Sequence, residues 1–510
     1  MIQLRKVNSM YLIGIDNGGS EIKCAVFDLK GNELAVAHAQ VPMDIPKKGF
    51  TERDAEAVWE ANVKVIRDAI EEAGIPGNEV AAVGLTGYGN GMILVDEKKE
   101  PVYPAIVSTD ERASAYCQKF SKDGTNAKIF PYTLQTTWSA QPAAMLPWFR
   151  DNRPEILEKT RWILSVKDFI RLRLTGAIAG EITDASSGCL VNLDTRKYDK
   201  RIFEILQIED CYEKMPPILE STDISGFITG EAAGLTGLAE GTPVAAGYFD
   251  IDANALASGV LSEDELCLIA GTWSINEYLS KEAPREIEKK QNTVTLSYLK
   301  DYYIIEDSTP TSASNFNWFI RNLLIKDRQE VSMSQIYEEC NQIVASIEPE
   351  DSDVIFVPYL FGSATDENAK AAFLNLAGGD DRDKMLRAVY EGVVFSSTHH
   401  VYNLKRPLDT YTKARLSGGI SNSEVWSQMM SDVLQMPIET LKCGEPGAKG
   451  AAMGAGVSCG IFSDLKDAVE NMVHVGKMYM PRTEYTQIYA EKFRRYEAAL
   501  KAVDLLAEQI

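Results

Sequence analysis

The chain has 510 residues, more than one hydrophobic core usually supports, so we expect two domains. It carries 52 Lys and Arg against 74 Asp and Glu, and the net charge of −22 argues against nucleic acid or an anionic membrane as a partner. Eight cysteines without a CxxC pair predict reduced thiols and a cytoplasmic location, and only four histidines argue against a zinc or iron site.

The beginning of the chain predicts a mixed α/β domain. Strands are predicted over 11–15, 22–28 and 33–40, followed by a helix over 54–73 and a strand over 80–86. The order of strands and helices then repeats in the second half. Its predicted elements are strands over 266–270, 275–279, 293–299, 302–306 and 354–357, and helices over 251–260, 381–405 and 484–509. The simplest boundary divides the chain into domains 1–247 and 248–510, hinged around a cleft.

A glycine-rich turn directly follows the first strand. Gly18, Gly19 and Ser20 are small residues whose backbone N–H groups and hydroxyl can approach an anion closely. Asp16 stands at the strand end, where a carboxylate could hold magnesium through water, and Lys23 could reach a phosphate. This turn therefore predicts one half of a nucleotide site.

A second turn of the same kind follows the strand at 265–270. It contains Gly271 and Thr272, and its matching position suggests duplicated domains that together build the nucleotide site. The chain contains neither the GxxxxGK[ST] phosphate loop nor the GxGxxG dinucleotide spacing, so P-loop and Rossmann folds lose their main support.

Asp250 is the candidate general base. Gly247 and two aromatic residues deliver this carboxylate to the start of a helix of small residues at the domain junction. The alternative is that Asp250 is simply the N-cap of that helix. Asp252 is the rival carboxylate, and its place two residues further along predicts a cap or a surface residue.

Two polar segments are candidates for binding a polyol. Tyr88 and Asn90 lie in a glycine-rich turn between two strands, where Asn90 either binds a hydroxyl or merely forms the turn. Asp110 and Arg112 follow an apolar strand, and strand ends are where such sheets bind ligands. They could equally form an ion pair with each other.

A third glycine turn lies near the C-terminus. Gly418 and Gly419 allow close approach to a base or ribose, and Ser423 is suited to cap the following helix; a plain tight turn with its cap is the alternative. The small residues at helical intervals over 444–456 indicate close helix packing, or one wall of a purine pocket.

Together these segments resemble the FGGY carbohydrate kinase family, a branch of the actin-like ATPase superfamily, over nearly the whole chain. Residues 16–23 are similar to its D-x-G-T-[ST]-x-x-K phosphate loop, with Gly19 where threonine is usual. Residues 87–91 are similar to its G-Q-x-H-G turn, with Tyr88 and Asn90 replacing Gln and His. Residues 108–112 resemble W-x-D-x-R with serine replacing tryptophan. The remaining similar segments are 181–186 (T-D-A-S), 271–274, 386–395 and 418–426.

The resemblance implies an α/β fold of two actin-like, ribonuclease H-like domains, each a mixed sheet flanked by helices, with a cleft between them. It implies ATP-dependent phosphorylation of a primary hydroxyl of a small sugar or polyol, a ketopentose such as xylulose, by a homodimer. The branch acting on L-xylulose, 3-keto-L-gulonate and related acyclic sugars looks closest.

It also implies roles for the residues above. Asp250 is the base, and Asp16 binds Mg²⁺. The substrate is contacted by Tyr88, Asn90, Asp110, Arg112 and Asp250. ATP is bound by Gly18, Gly19, Ser20, Lys23, Gly271, Thr272, Gly418, Gly419 and Ser423. The alternatives are an actin-like ATPase of the chaperone or filament type, which shares both phosphate loops, and a degenerate sugar sensor.

Overall fold

The computed structural model describes residues 10–271, 273–286, 293–325, 332–360, 362 and 369–509. Its strands in chain order are β1 Tyr11–Asn17, β2 Ile22–Asp28, β3 Glu33–Ala39, β4 Glu52–Arg53, β5 Val80–Gly87, β6 Ile93–Val95, β7 Ala105–Ile106, β8 Trp162–Leu164, β9 Gly180–Glu181, β10 Val191–Asn192, β11 Lys197–Tyr198, β12 Ile218–Leu219, β13 Ile224–Phe227, β14 Pro243–Ala245, β15 Tyr248–Phe249, β16 Glu265–Ala270, β17 Ser274–Ser280, β18 Thr293–Leu296, β19 Tyr303–Thr309, β20 Ile355–Val357, β21 Ala372–Leu374, β22 Lys413–Ser417, β23 Ile438–Leu441 and β24 Val475–Tyr479.

The helices in chain order are α1 Ala55–Ala73, α2 Ser114–Lys122, α3 Thr125–Thr133, α4 Pro142–Asn152, α5 Pro154–Lys159, α6 Val166–Thr175, α7 Ile182–Ser187, α8 Lys200–Leu206, α9 Gly230–Thr236, α10 Asp250–Ala257, α11 Ala313–Phe319, α12 Met333–Ala345, α13 Arg382–Asn403, α14 Glu424–Leu434, α15 Pro446–Ser458, α16 Leu465–Met472 and α17 Thr486–Ala507. None of these helices is both long enough and apolar enough to cross a membrane, within the part of the chain that the structure describes.

The chain forms two compact units, and each is built from several separate segments. The first unit takes segments 1–261, 280–304 and 443–474, and the remaining residues form the second. This division does not coincide with the boundary expected after residue 247. Residues 248–261 belong to the first unit because β15 pairs with β5 and α10 packs against α15.

The first unit contains a mixed sheet in the order β13-β14-β5-β1-β2-β3, with β15 also beside β5. β1 runs antiparallel to β2 and parallel to β5, so Asp16 lies opposite Lys23 on one side and Thr86 on the other. The predicted hairpin strands and the helix over 54–73 are confirmed. α1 begins where the Asp54 side chain accepts hydrogen bonds from two backbone N–H groups, and it ends at Gly74 in the left-handed region.

The second unit contains a mixed sheet in which β19, β17, β16, β22, β23 and β24 follow one another. β16 is antiparallel to β17 and parallel to β22. The strands predicted at 266–270 and 275–279 are confirmed as β16 and β17, and the predicted helix over 381–405 is α13. The strand predicted over 293–299 is shorter, because β18 ends at Leu296.

Helix α15 packs against the first sheet at very short range. A Cβ atom on Gly14 of β1 would lie 1.7 Å from the backbone oxygen of Ala448. A Cβ atom on Gly450 would lie 2.0 Å from the backbone oxygen of Ala253 in α10. Since real Cβ atoms do not approach that closely, only glycine allows these contacts. The close packing predicted from the small residues of 444–456 is confirmed.

Candidate active site

The first glycine turn connects β1 to β2, and an arginine side chain binds the backbone oxygens of the turn. Arg53 Nη2 donates to the backbone oxygen of Gly19 over 2.5 Å, and Nη1 donates to that of Gly18 over 3.4 Å. A Cβ atom on Gly18 would lie 2.7 Å from the backbone oxygen of Glu21, whereas one on Gly19 would meet nothing within 4 Å. Ser20 is exposed. The turn is therefore fixed in shape and open at Gly19 and Ser20.

Asp16 lies at the end of β1, directly before this turn. Its Oδ1 is buried and accepts no hydrogen bond from the described residues. A Cβ atom on Gly447, at the start of α15, would lie 2.4 Å from Asp16 Oδ2. Burial raises the pKa of the Asp16 carboxyl group to about 6; the nearby Lys23 opposes that shift, and Glu445 adds to it. The carboxyl group is therefore mostly ionised at neutral pH, and its Oδ1 is a buried acceptor without a hydrogen bond from the described residues.

Lys23 does not stand free beside the turn. Its Nζ forms an ion pair of 2.7 Å with Glu445 Oε2, and the Lys23 side chain is 29% exposed. A phosphate contact by Lys23 therefore requires the lysine to share or exchange this carboxylate partner.

Asp250 is the first residue of α10 and is half-buried. The N-cap of α10 is Phe249, so the alternative that Asp250 is the N-cap is wrong. The expectation that Asp252 is a cap or surface residue is also wrong. Asp252 is completely buried and its Oδ1 accepts a hydrogen bond of 2.9 Å from the Tyr298 N–H. Two residues along a helix differ by about 200° in direction, which turns Asp252 into the core while Asp250 keeps exposed surface.

The chain before Asp250 is fixed by close contacts with β5. Gly247 adopts a φ of +95°, and a Cβ atom there would lie 2.2 Å from the backbone oxygen of Leu85. In β15, Tyr248 and Phe249 lie opposite Thr86 and Gly87 of β5. The glycine at 247 is therefore required for both conformation and space.

The turn carrying Tyr88 and Asn90 touches this same segment. A Cβ atom on Gly89 would lie 2.3 Å from Cε2 of Phe249, so the ring packs directly on the turn. Asn90 adopts the left-handed conformation, is 7% exposed, and its Oδ1 accepts no hydrogen bond from the described residues.

Burial raises the pKa of the Tyr88 hydroxyl to about 12. Asn90 also lines a cavity of about 40 Å³, together with Ser165, Asp168, Asp184 and Tyr198.

Asp110 and Arg112 form the ion pair that the sequence left as an alternative. Arg112 Nε and Nη2 donate to the two Asp110 oxygens over 2.8 and 2.7 Å, and Nη2 also donates to Glu52 Oε1 over 2.6 Å. The side chains of Asp110 and Arg112 have no exposed surface. Direct contact between this pair and a substrate stays a prediction, and it requires the network to open.

In the second unit the two remaining glycine turns lie against each other. Gly418 adopts a φ of +87°, and a Cβ atom there would lie 2.6 Å from the backbone oxygen of Ala270 and 3.0 Å from the Gly271 nitrogen. A Cβ atom on Gly419 would meet nothing within 4 Å. Thr272 lies outside the described residues.

Ser423 caps α14, as the sequence alternative expects. Its Oγ accepts from the Trp426 N–H over 3.2 Å and donates to Asn341 Oδ1 over 2.7 Å. The Trp426 ring stacks on Tyr390 with ring centroids 4.0 Å apart. The hydroxyl of Ser423 is thus occupied in holding the start of α14.

The sequence did not point to Arg53 or Glu445. Arg53 is 34 residues from the glycine whose backbone oxygen it binds, and Glu445 is 422 residues from Lys23. No local pattern connects such pairs, because the contacts arise only when the strands and α15 assemble. Thr183 lies in the T-D-A-S segment that the resemblance singled out without giving it a role.

Two mixed sheets flanked by helices, each with a glycine turn at a strand end, define a protein of the actin-like fold. The family model described as the FGGY family of carbohydrate kinases, N-terminal domain, matches residues 11–257, and the C-terminal domain model matches residues 266–459. The chain belongs to the FGGY family of carbohydrate kinases, and it is a sugar kinase. Enzymes of this family use ATP, typically with Mg²⁺.

Curated relatives match over almost their whole length. A probable L-xylulose kinase of Pasteurella multocida is 32% identical over 97% of this chain and 99% of its own. The L-xylulose/3-keto-L-gulonate kinase of Escherichia coli is 31% identical over 97% of each chain. Among solved structures, a ligand-bound xylulose kinase from Lactobacillus acidophilus is 23% identical, covers 97% of this chain and 98% of its own, and has a TM-score of 0.87. This last similarity confirms the predicted fold.

Proposed function

We propose that this protein transfers the terminal phosphoryl group of ATP to a primary hydroxyl of a ketopentose of the xylulose type, with Asp250 as general base. The sugar class is suggested by the two relatives that are named as acting on L-xylulose. One observation carries the role of Asp250. It is half-buried at the start of α10, directly after Phe249, whose ring packs on the Tyr88–Asn90 turn, whereas Asp252 is completely buried.

In phosphoryl transfer the protein mainly positions the reactants and stabilises charge, and it forms no covalent bond to them. As the sugar oxygen attacks the terminal phosphorus, its proton passes to the Asp250 carboxylate and the bond to the ADP oxygen breaks. We assign a contact with a sugar hydroxyl to Asn90, and its buried Oδ1, which takes no hydrogen bond from the described residues, supports this assignment. Tyr88 carries a buried hydroxyl in the same situation. Asp110 and Arg112 support this side of the site through their ion pair.

The nucleotide contacts follow the glycine turns. In the first unit we assign phosphate contacts to Gly18, Gly19, Ser20 and Lys23. In the second unit we assign phosphate contacts to Gly271 and Thr272, and adenosine contacts to Gly418, Gly419 and Ser423. Asp16 fits a magnesium ligand because its buried Oδ1 takes no hydrogen bond from the described residues and the carboxyl group is ionised at neutral pH. Bound magnesium would neutralise charge on the phosphates.

A coupled ADP-release assay over a panel of sugars tests the proposal. The panel holds L-xylulose, D-xylulose, 3-keto-L-gulonate, erythritol and glycerol, each at saturating ATP and magnesium. We expect a ketopentose to stimulate ADP release and to give a phosphorylated product by mass spectrometry. Slow hydrolysis that no sugar stimulates would overturn the proposal and favour an actin-like ATPase, and sugar binding without turnover would favour a sensor.

A further inference from the structure

A buried chain of hydrogen bonds reaches the residue that precedes Asp250. Thr183, in α7, accepts a hydrogen bond of 2.8 Å from the Phe249 N–H through its Oγ1. The same Oγ1 donates to Glu181 Oε2 over 2.8 Å. Thr183 and Glu181 are both fully buried. The single hydrogen of this hydroxyl is therefore given to Glu181, and one of its lone pairs is given to the Phe249 N–H.

Glu181 fixes which way the Thr183 hydroxyl is oriented. Its Oε1 accepts from the Ser221 hydroxyl over 2.6 Å and from the Thr183 N–H over 2.8 Å. Lys167 Nζ lies 3.4 Å from Glu181 Oε2 and 2.9 Å from Asp184 Oδ2. Burial raises the pKa of the Glu181 carboxyl group, and the Lys167 ammonium group opposes that rise. The Thr183 hydroxyl donates to this carboxyl group and presents a lone pair to the Phe249 N–H.

This contact completes the fixation of the segment that leads to Asp250. On one side the segment pairs with β5, where Thr86 Oγ1 donates to the Tyr248 oxygen over 3.0 Å. On the other side the Phe249 N–H donates to the buried Thr183 Oγ1. Phe249 is the N-cap of α10, so its backbone position sets where the helix and its first residue begin.

We propose that Thr183 is a positioning residue for Asp250, holding the Phe249 N–H so that α10 begins where the carboxylate can take the substrate proton. Glu181 orients Thr183, and Thr183 itself does not contact the substrate. The proposal rests on the proposed function, in which Asp250 is the base. A displacement of about 1 Å at a reacting group can cost about 100-fold in rate, so loss of the contact is expressed in turnover.

Thr183→Val removes the hydroxyl at nearly constant shape, and Thr183→Ser keeps it. We expect Thr183→Val to lower kcat by about 10- to 100-fold, while KM for sugar and ATP changes far less. Thr183→Ser should keep most of the turnover. A kcat for Thr183→Val equal to that of the parent protein, or an equal loss in Thr183→Ser, would overturn the proposal.

A double variant separates this proposal from the role of Asp250. If Thr183 acts through Asp250, Thr183→Val made in the Asp250→Asn background leaves the residual rate unchanged. A full additional loss in that background would show that Thr183 acts elsewhere. Near-normal turnover of Asp250→Asn alone would instead defeat the proposed function. Should Thr183→Val fail to fold, Ser221→Ala removes one support of Glu181, and we then expect a smaller fall in kcat at unchanged KM; an unchanged kcat would count against the proposal.

Discussion

At the residue scale, ionisation of the buried Asp16 carboxyl group lowers the stability of the folded protein. Burial, opposed by Lys23, raises its pKa from 3.8 to about 6. The folded protein therefore holds the proton more tightly than the unfolded chain, and this contribution to stability is present below pH 3.8 and is lost as the pH rises through about 6. A destabilised carboxylate of this kind is expected where a bound cation is to neutralise its charge.

We predict that Asp16→Asn removes this pH dependence. Since one pH unit corresponds to about 1.36 kcal/mol, the ionised Asp16 costs at most about 3 kcal/mol of unfolding free energy. Without magnesium, the variant should gain stability relative to the parent protein between pH 4 and pH 7, as measured by urea denaturation. A difference between the two proteins that does not vary with pH would contradict this account of Asp16.

Gly19 is the residue that departs from the usual phosphate loop, and the structure leaves room for the usual side chain. A Cβ atom there meets nothing within 4 Å, and Gly19 is not among the glycines with positive φ. We predict that Gly19→Thr folds with unchanged stability and lowers KM for ATP by about 10-fold at most, the value of one added hydrogen bond.

Gly18→Ala is the matched control for this substitution. Its Cβ atom would lie 2.7 Å from the Glu21 backbone oxygen, so we expect a lower melting temperature. Steady-state kinetics and thermal unfolding check both variants. A rise in KM for ATP in Gly19→Thr would show that the open space at Gly19 is needed by the nucleotide itself.

At the element scale, α15 connects the packing of the first sheet to the helix that carries Asp250. Its Gly450 faces the backbone of Ala253 in α10, and its Gly454 faces the Tyr248 ring. The sequence predicts the close packing of 444–456 from the spacing of small residues. It gives no sign that this helix joins the first unit, because its partners lie hundreds of residues earlier and most of the chain between them forms the second unit.

We predict that Gly450→Ala destabilises the protein by about 1–3 kcal/mol or more and lowers kcat, because the added methyl group must displace α10. Gly234→Ala in α9 is the control. A Cβ atom at Gly234 meets nothing within 4 Å, so the substitution should be neutral or slightly stabilising. Urea denaturation and kcat check both variants, and a stable, fully active Gly450→Ala would refute the packing argument.

At the scale of the whole molecule, local patterns predicted the fold better than they predicted the site. The strand–turn motifs at Asp16 and Gly271 and the helix over 54–73 are local patterns, and the sequence predicts them from neighbouring residues. The support of the site is not local, because the Thr183–Phe249 hydrogen bond joins residues 66 apart and both partners are buried. The burial of Asp252 depends on how α10 packs, which the sequence of that helix does not fix.

The central claim is that Asp250 receives the proton during phosphoryl transfer, and paired amide variants test it most directly. Asp252→Asn is the matched control, since burial raises the pKa of Asp252 well above its usual value and an amide can still accept from the Tyr298 N–H. For Asp250→Asn we predict that kcat with the preferred sugar falls about 100- to 10,000-fold while sugar and ATP still bind, and that Asp252→Asn retains its turnover. Near-normal turnover in Asp250→Asn would contradict the account.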